Sequence, residues 1–198
     1  MEMSRLVFAS HNQHKIDEIR AILGPRFSII GLKDLGCDRD IPEPHLTLEE
    51  NALAKARFVV QHYGLDSFAD DTGLEVEALN GLPGVLSARY AGHAKDSRAN
   101  VKKLLDDLSE QKNRKARFRT VIALIMNGKD YLFEGTVCGE ITDKPRGGLG
   151  FGYDPVFIPG GHTRTFAEMP PSEKNRISHR KIAISKLAGF LVQASTTR

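Results

Sequence analysis

Apolar residues recur along the first part of the chain with two spacings, which predict alternating strands and helices. Short apolar runs at 5–9 and 27–31 are typical of buried strands. Between them, apolar residues three and four positions apart predict an amphipathic helix that ends at Gly24-Pro25. Thr47 is the predicted N-cap of a second helix, with Glu50 as its capping-box partner. The predicted inward face of this second helix consists of Leu53, Ala56, Val59 and Val60.

The second part of the chain predicts a longer sheet. Two long apolar segments, 117–126 and 131–141, are predicted strands joined at Asn127-Gly128, a strong hairpin signal. The other predicted elements are a strand ending at 67–69, helices at 97–108 and 178–193, a glycine-rich loop at 145–152 and a short strand at 155–158. Alternating helices and strands followed by a hairpin predict one α/β domain over residues 1–198 with a mixed sheet.

Composition and charge indicate an ordinary globular protein. Of its 198 residues, 40% are hydrophobic and 27% charged, which argues against disorder. No apolar run approaches the ~18–20 residues of a membrane span, and the N-terminus lacks a signal-peptide core, so we expect a cytoplasmic protein without a membrane partner. A net charge of +3 suits a small anionic substrate and is too weak to indicate a nucleic-acid partner. Cys37 and Cys138 are predicted to be buried or half-buried thiols.

The segment Ser10-His11-Asn12-Gln13-His14-Lys15 lies at the predicted turn between the first strand and the first helix. Free backbone N–H groups and the helix dipole make such a turn a natural phosphate site, and Lys15 adds a positive charge. The segment lacks the glycines of a Walker motif and of the dinucleotide-binding Gly-x-Gly-x-x-Gly, which disfavours a dinucleotide-dependent oxidoreductase. An ordinary strand-to-helix turn is the alternative interpretation.

Asp70 and Asp71 follow an apolar strand, which predicts a position at the rim of the sheet, where α/β proteins place their sites. Mg²⁺ is usually bound by one or two carboxylates together with waters and phosphates. A carboxylate beside such an ion can also orient or deprotonate an attacking water. Glu43, in a stiff loop between two prolines, is the carboxylate from a second segment that such a site needs. The alternatives are a solvated turn for the pair and a solvated charge for Glu43.

A glycine-rich segment leads into Phe151-Gly152-Tyr153-Asp154. Glycines allow a backbone to approach a ligand closely. An aromatic ring beside them could stack on a base, which is worth ~1–3 kcal/mol. The alternative is a flexible turn in which at least one of the two rings packs into the core.

A dense basic cluster, 172–181, opens the last predicted helix. Lys174 is available for phosphate, and His179 and Arg180 are available for the polar edges of a base. Because arginine can only donate hydrogen bonds, it would favour the 6-oxo group of hypoxanthine or xanthine over the 6-amino group of adenine. Guanine shares the 6-oxo group, so its rejection would need contacts near the 2-amino group. A solvated helix start is the alternative interpretation.

Five segments, in this order along residues 6–188, resemble the non-canonical purine nucleoside triphosphate pyrophosphatase family, which includes inosine triphosphate pyrophosphatase. They are Ser10-x-Asn12-x-x-Lys15, Ala69-Asp70-Asp71-Thr72-Gly73-Leu74, Leu82-Pro83-Gly84 with Ser87-Ala88-Arg89-Tyr90, Phe151-Gly152-Tyr153-Asp154-Pro155 and the run from Glu173 to Arg180. The resemblance implies hydrolysis of inosine, deoxyinosine and xanthosine triphosphates (ITP, dITP and XTP) between the α- and β-phosphates, with Mg²⁺ as cofactor. It also implies a two-lobed α/β fold on a long mixed sheet, an active-site cleft between the lobes, and a homodimer.

The resemblance also assigns roles to individual residues. Positions 10–15 would hold the triphosphate, with Asn12 and Lys15 as the matched polar contacts. Asp71 would be the metal-linked general base, and Asp70 and Glu43 would be further metal ligands or their support.

The remaining assignments concern the base and its surroundings. Thr72, which replaces a common serine and keeps the hydroxyl, would contact substrate. Residues 151–154 would form the base pocket, Lys174 would reach both base and phosphates, and His179-Arg180 would read the 6-oxo edge. His14 stands where many relatives have glycine, which leaves the geometry of that turn open.

Two other functions are compatible with the sequence. One is a pyrophosphatase for other modified nucleotides, such as modified pyrimidine or methylated ones. The other is a nucleotide- or RNA-binding module without turnover, which predicts binding that survives metal removal and weakens steeply with salt. Asp70 and Asp71 argue against the second, because carboxylates repel phosphates unless a metal bridges them.

Overall fold

The computed structural model describes residues 4–23 and 27–196, and within them helices and strands alternate as far as the third strand. The strands are β1 (Ser4–Phe8), β2 (Phe27–Gly31), β3 (Ser67–Val76), β4 (Pro83–Gly84), β5 (Lys115–Met126), β6 (Lys129–Ile141) and β7 (Phe157–Pro159). The α-helices are α1 (Gln13–Leu23), α2 (Leu48–Tyr63), α3 (Ser97–Asp107), α4 (Pro171–Ile177) and α5 (His179–Thr196). The predicted end of α1 at Gly24-Pro25 lies outside the described residues.

The strands form one mixed sheet. Its order is β2-β1-β3-β5-β6-β7, and β4 pairs with β3. β1 is parallel to both β2 and β3, whereas the pairs β3/β4 and β6/β7 are antiparallel. This arrangement confirms the predicted α/β class with a mixed central sheet flanked by helices.

The chain divides into two compact units, and three strands contribute residues to both. Unit 1 comprises Met1–Asp71, Val121–Glu134 and Ile182–Arg198, and unit 2 comprises Thr72–Thr120 and Gly135–Lys181. Successive side chains of a strand point to opposite faces, so each apolar strand of unit 1 supplies two cores. Phe8 packs in a cluster with residues of α1 and α5, and Val7 packs in another with residues of α2. Helices therefore cover both faces of the sheet in unit 1.

The core of unit 2 is rich in aromatic rings. Phe118 of β5 packs edge-on against Phe157 at a centroid distance of 4.7 Å, and Phe157 lies 5.3 Å from Phe166. Leucines of α3 and residues at the end of β3 complete the cluster. Each of these rings buries a large apolar area, which stabilises unit 2.

The acidic pair lies inside a strand, which corrects the prediction that the strand ends at Ala69. β3 continues through Asp70 and Asp71 to Val76. Carboxylates are disfavoured in strands, and the sequence pattern therefore indicated a strand end. In the structure, however, lysine side chains pair with both carboxylates. Asp70 and Asp71 are therefore strand residues, and they follow Phe68, the last residue of β3 that pairs with β1.

The hairpin prediction is confirmed, and the helix prediction for the basic cluster is partly wrong. Asn127 and Gly128 both have positive φ, 52° and 72°, as a two-residue hairpin turn requires. The cluster 172–181 belongs to two helices, because Ser178 is extended and interrupts them. The Ser178 hydroxyl accepts a hydrogen bond from the Lys181 N–H at 3.1 Å, which makes Ser178 the cap of α5.

The two cysteines differ in exposure. Cys37 is buried as predicted, whereas Cys138 is exposed, because it occupies an outward position of β6. None of the helices within the described residues has the length and apolar content needed to cross a membrane.

Candidate active site

The turn predicted to bind phosphate joins β1 to α1, and its side chains support its backbone. The Ser10 hydroxyl accepts a hydrogen bond from the Asn12 N–H at 3.1 Å, and Asn12 Oδ1 accepts one from the Lys15 N–H at 3.2 Å. Asn12 therefore caps α1. Gln13 donates to Asp17 at 2.7 Å, and His11 Nε2 lies 2.9 Å from the Arg39 carbonyl oxygen. The backbone of His14 belongs to α1, and its side chain lies outside the described part of the chain.

The side chain of Lys15 joins this turn to β3. Its Nζ donates to both carboxylate oxygens of Asp70, at 3.0 and 2.9 Å. The Asp70 side chain is only 3% exposed, so this charge-assisted pair compensates for its desolvation. The structure thus brings together two of the predicted site residues.

Lys55 of α2 connects Asp71 to Glu43. Its Nζ lies 2.5 Å from Glu43 Oε1 and 3.5 Å from Asp71 Oδ1. Lys55 is buried on the same helix face as Ala52, Ala56 and Val59. One ammonium group therefore holds carboxylates from two chain segments, as the predicted metal site required. We call Lys15, Glu43, Lys55, Asp70 and Asp71 the carboxylate–lysine cluster.

The loop that carries Glu43 is fixed by Asn51. This buried side chain accepts a hydrogen bond from the His45 N–H at 3.0 Å and donates to the His45 carbonyl oxygen at 3.2 Å. A side-chain amide that satisfies both backbone groups of one residue holds the loop as a strand partner would. Asn51 therefore positions the segment next to Lys55.

Burial and charge act on the pKa values of this cluster in opposite directions. Burial raises the pKa of Asp71, and the neighbouring Glu43 and Asp70 carboxylates raise it further. The ammonium groups of Lys55 and Lys15 lower this pKa, but the net shift is upward. For Lys55, burial lowers the pKa, but Asp71, Glu43 and Asp70 outweigh this effect and raise it. Lys55 is therefore a permanent cation, and Asp71 is a carboxylate that gains a proton more readily than an ordinary one.

The carboxylates of the cluster differ in how well they suit a metal ion. Among the described residues, no group of three or more histidine, cysteine, aspartate or glutamate side chains is arranged to hold a metal. Glu43 and Asp71 nevertheless share one cation, and Mg²⁺ commonly uses only one or two carboxylates. Asp70 is instead engaged by Lys15 through both oxygens. The chemistry of Glu43 and Asp71 therefore fits a divalent cation better than that of Asp70.

Thr72 and the segment after β4 belong to unit 2. The hydroxyls of Thr72 and Thr120 are hydrogen-bonded at 2.8 Å. The Ser87 hydroxyl donates to the Gly84 carbonyl oxygen at 2.6 Å and accepts from the Leu74 N–H at 2.9 Å. The Ser87 contacts therefore hold the loop against β3, which is a structural role for a segment that carried part of the family resemblance.

The predicted base pocket separates its two aromatic rings. Phe151 is 53% exposed, whereas Tyr153 is 4% exposed and belongs to the core of unit 2. The Tyr153 hydroxyl donates to the Ser87 carbonyl oxygen at 2.9 Å, and burial raises the pKa of this phenol. Phe151 is therefore the ring available for stacking on a ligand.

Three cationic or polar residues of the basic cluster lie near aromatic rings of unit 2. Lys174 Nζ lies 4.8 Å from the centroid of the Phe151 ring, and the Arg180 guanidinium carbon lies 5.6 Å from it. His179 is buried and stacks on Phe118 at 4.7 Å with an interplanar angle of 10°. We call Phe151, Asp154, Lys174, His179 and Arg180 the aromatic–basic cluster.

Lys55, Asn51 and Phe118 were not predicted as site residues. For Lys55 and Asn51 a signal existed, because both occupy the buried stripe of α2 that also contains Ala52, Ala56 and Val59. A lysine in such a stripe is rarely left unpaired. Leu53 and Val60, which were predicted to point inward, are only half-buried, so the predicted buried face of α2 was partly wrong. For Phe118, an apolar residue in a strand, the sequence carried no signal.

Comparisons with known proteins show the family to which the chain belongs. Residues 6–190 match the model of the Ham1 family. The chain is 56% identical over 193 residues to the dITP/XTP pyrophosphatase of Porphyromonas gingivalis, covering 97% of this chain and 100% of the relative. It is 52% identical over 187 residues to that of Flavobacterium johnsoniae, with coverages of 94% and 97%. A solved HAM1 protein from Coxiella burnetii matches with a TM-score of 0.91 and 40% identity, covering 96% and 100% of the two chains. The chain belongs to the Ham1 family, which confirms the resemblance found in the sequence.

Proposed function

We propose that this chain is a nucleoside triphosphate pyrophosphatase that converts non-canonical purine nucleoside triphosphates to the monophosphate and pyrophosphate. Its substrates are ITP, dITP and XTP, so it removes deaminated purines from the nucleotide pool. The names and full-length coverage of the curated relatives support this reaction. The structural observation that supports the mechanism is the partly buried carboxylate–lysine cluster centred on Asp71.

Asp71 is the general base in this proposal. A base works best when its pKa is close to the working pH, because it must be ionised and still hold a proton strongly. Burial and the neighbouring carboxylates raise the pKa of Asp71 in that direction. Asp71 therefore takes a proton from the water that attacks phosphorus, and Lys55 keeps its carboxylate in place.

Positive charge at the phosphates comes from the lysines and from the turn before α1. The N-terminus of α1 presents backbone N–H groups to an anion, and Lys15 adds a cation that Asp70 holds in place. Charge placed in advance stabilises the transition state without reorganisation during the reaction. Ser10, Asn12 and Lys15 are thus assigned to the triphosphate.

Asp71 and Glu43 would hold a divalent ion, most simply Mg²⁺, and Asp70 would support them through Lys15. When bound, the ion neutralises phosphate oxygens and acts as a Lewis acid. The cluster contains three carboxylates and only two lysines, and this surplus of negative charge favours an additional cation.

Base recognition is assigned to the aromatic–basic cluster. Phe151 exposes its ring for stacking, and Lys174 and Arg180 are hydrogen-bond donors close to that ring. Donors favour a 6-oxo purine and disfavour the 6-amino group of adenine. The assembly as a homodimer and the location in the cytoplasm are further parts of this proposal, which sizing in solution and cell fractionation would test.

The proposal is tested by incubating the purified protein with Mg²⁺ and each of ITP, dITP, XTP, ATP and GTP. Pyrophosphate and orthophosphate are measured separately, with a chelated sample as the control. We expect pyrophosphate from the first three nucleotides only. Orthophosphate release would place the cut at another bond and contradict the proposal.

The two alternatives predict other results in the same assay. Turnover of modified pyrimidine or methylated nucleotides in preference to ITP would support a different pyrophosphatase. Binding without turnover that survives chelation and weakens steeply with salt would support a binding module.

A further inference from the structure

Asp154 is a buried carboxylate with two donors on one oxygen. Its side chain is 4% exposed. Its Oδ2 accepts a hydrogen bond from the Phe151 N–H at 2.8 Å and another from Lys174 Nζ at 2.5 Å. Because a carboxylate is costly to bury without partners, these two donors account for its stable position.

Gly150 leaves the space that this carboxylate occupies. Its φ is +77°, and a Cβ built there would lie 2.1 Å from Asp154 Oδ2. Any larger residue would therefore displace the carboxylate. The glycine of this loop is explained by a close contact within the protein and does not need a ligand at that point.

The two donors belong to the residues assigned to base recognition. The backbone N–H of Phe151 fixes the loop from which the exposed ring projects. Lys174, on α4, lies over this ring at 4.8 Å and near the buried Phe166 ring at 5.5 Å. One carboxylate oxygen thus sets the position of an ammonium group relative to an aromatic ring from a different segment.

We infer that Asp154 is a positioning residue, which acts on substrate through Phe151 and Lys174. It holds the lysine as a fixed cationic donor beside the ring on which a 6-oxo purine stacks. The identity of the ligand as a 6-oxo purine rests on the proposed function, which this inference deepens. The arrangement of Asp154, Lys174 and Phe151 itself does not depend on the substrate.

The variant Asp154→Asn separates the two contacts. Asparagine keeps an oxygen that accepts from the Phe151 N–H, but it lacks the charge that anchors Lys174. We expect KM for ITP to rise by about 10- to 100-fold, the range for a hydrogen bond to a charged group, with a smaller change in kcat. Lys174→Met should have a similar effect.

A double-mutant cycle identifies the route of the effect. If Asp154 acts through Lys174, adding Asp154→Asn to Lys174→Met changes KM little further. If the two effects multiply, Asp154→Asn acts by a route other than Lys174, since asparagine keeps the acceptor for the Phe151 N–H, and the inference is wrong. Asp106→Asn is the matched control, because it removes the carboxylate of an exposed pair with Lys102 on α3 and should leave KM unchanged.

A second measurement does not need a substrate. In the wild type, the buried ion pair should slow the reaction of Lys174 with an amine-acylating reagent, followed by mass spectrometry. Asp154→Asn should speed this labelling severalfold, whereas Asp106→Asn should not. Unchanged labelling would overturn the inference even if the protein hydrolyses ITP, and faster labelling would support it even if ITP is not a substrate.

Melting temperatures verify that each variant is folded. Should Asp154→Asn not fold, Asp154→Glu retains the charge and moves it by one methylene. That variant should change KM and Lys174 labelling in the same directions by smaller factors, and the absence of both changes would contradict the inference.

Discussion

The carboxylate–lysine cluster of unit 1 and the aromatic–basic cluster of unit 2 use the same kinds of charge in opposite proportions. In the first, three carboxylates meet two lysines around Asp71, and no aromatic ring takes part. In the second, one buried carboxylate, Asp154, meets cationic side chains around the exposed ring of Phe151. An excess of carboxylates suits proton transfer and a metal, whereas cations beside a ring suit recognition of a flat, electron-rich ligand. We therefore expect that catalysis and base recognition can be impaired separately.

The largest effect is expected from Asp71→Asn. Loss of the general base, which is also a proposed ligand of the divalent ion, should lower kcat by about 100- to 10,000-fold, while the aromatic–basic cluster still binds the purine. Pyrophosphate release gives kcat, and equilibrium binding of ITP to the variant verifies that recognition is intact. Asp143→Asn, whose carboxylate is fully in solvent, is the control. A variant of Asp71 that retains normal turnover would remove the basis of the proposed mechanism.

Lys55→Met should impair both turnover and stability. Without the ammonium, the Glu43 and Asp71 carboxylates repel each other in a partly desolvated site, which should cost about 1–3 kcal/mol of unfolding free energy after allowance for solvent screening. Urea unfolding measures this quantity. Lys102→Met, in an exposed pair, should cost less than about 0.5 kcal/mol. Equal losses for the two variants would show that Lys55 has no special role.

Phe151→Ala should weaken recognition with little change in chemistry. Loss of stacking should raise KM by about 5- to 100-fold, with a smaller change in kcat. Tyr153→Phe tests the other ring, since it removes a hydroxyl bonded to Ser87 and leaves the ring in the core. It should lower stability by about 1 kcal/mol without altering KM. An increase in KM for Tyr153→Phe alone would reverse the assignment of the two rings.

The smallest effect is a pH dependence of stability that depends on Asp71. Because its pKa is raised in the folded state, the folded protein binds more protons than the unfolded chain just above the ordinary carboxyl range of about 4. This contribution to stability is therefore lost as pH rises from about 4 through the raised pKa of Asp71. The free energy of unfolding is measured with urea for the metal-free wild type and for Asp71→Asn across this pH range. As pH increases, the wild type should lose stability relative to the variant. A constant difference would mean that the pKa of Asp71 is not raised.

Much of the fold was predictable because local patterns determined it. Asn127-Gly128 predicted the hairpin, since both residues tolerate the positive φ that the turn needs. The cap of α2 at Thr47 is also confirmed, as its hydroxyl accepts from the Glu50 N–H at 3.2 Å. The extent of β3 was not predictable, because a strand that contains two carboxylates is stable only with partners from α1 and α2.

The functional groups of this protein can be read from the order of residues along the chain. They are the acidic pair, the turn before α1, the glycine-rich loop and the basic cluster, and their order identifies the family. How these groups are used depends on the folded structure. In the folded protein Tyr153 is buried and Phe151 is exposed. Lys55 lies between Glu43 and Asp71. Asp154 accepts hydrogen bonds from the Phe151 N–H and from Lys174. The physical reason is that burial and charge pairing depend on residues far apart in the chain, whereas turns, caps and periodicity depend on neighbours.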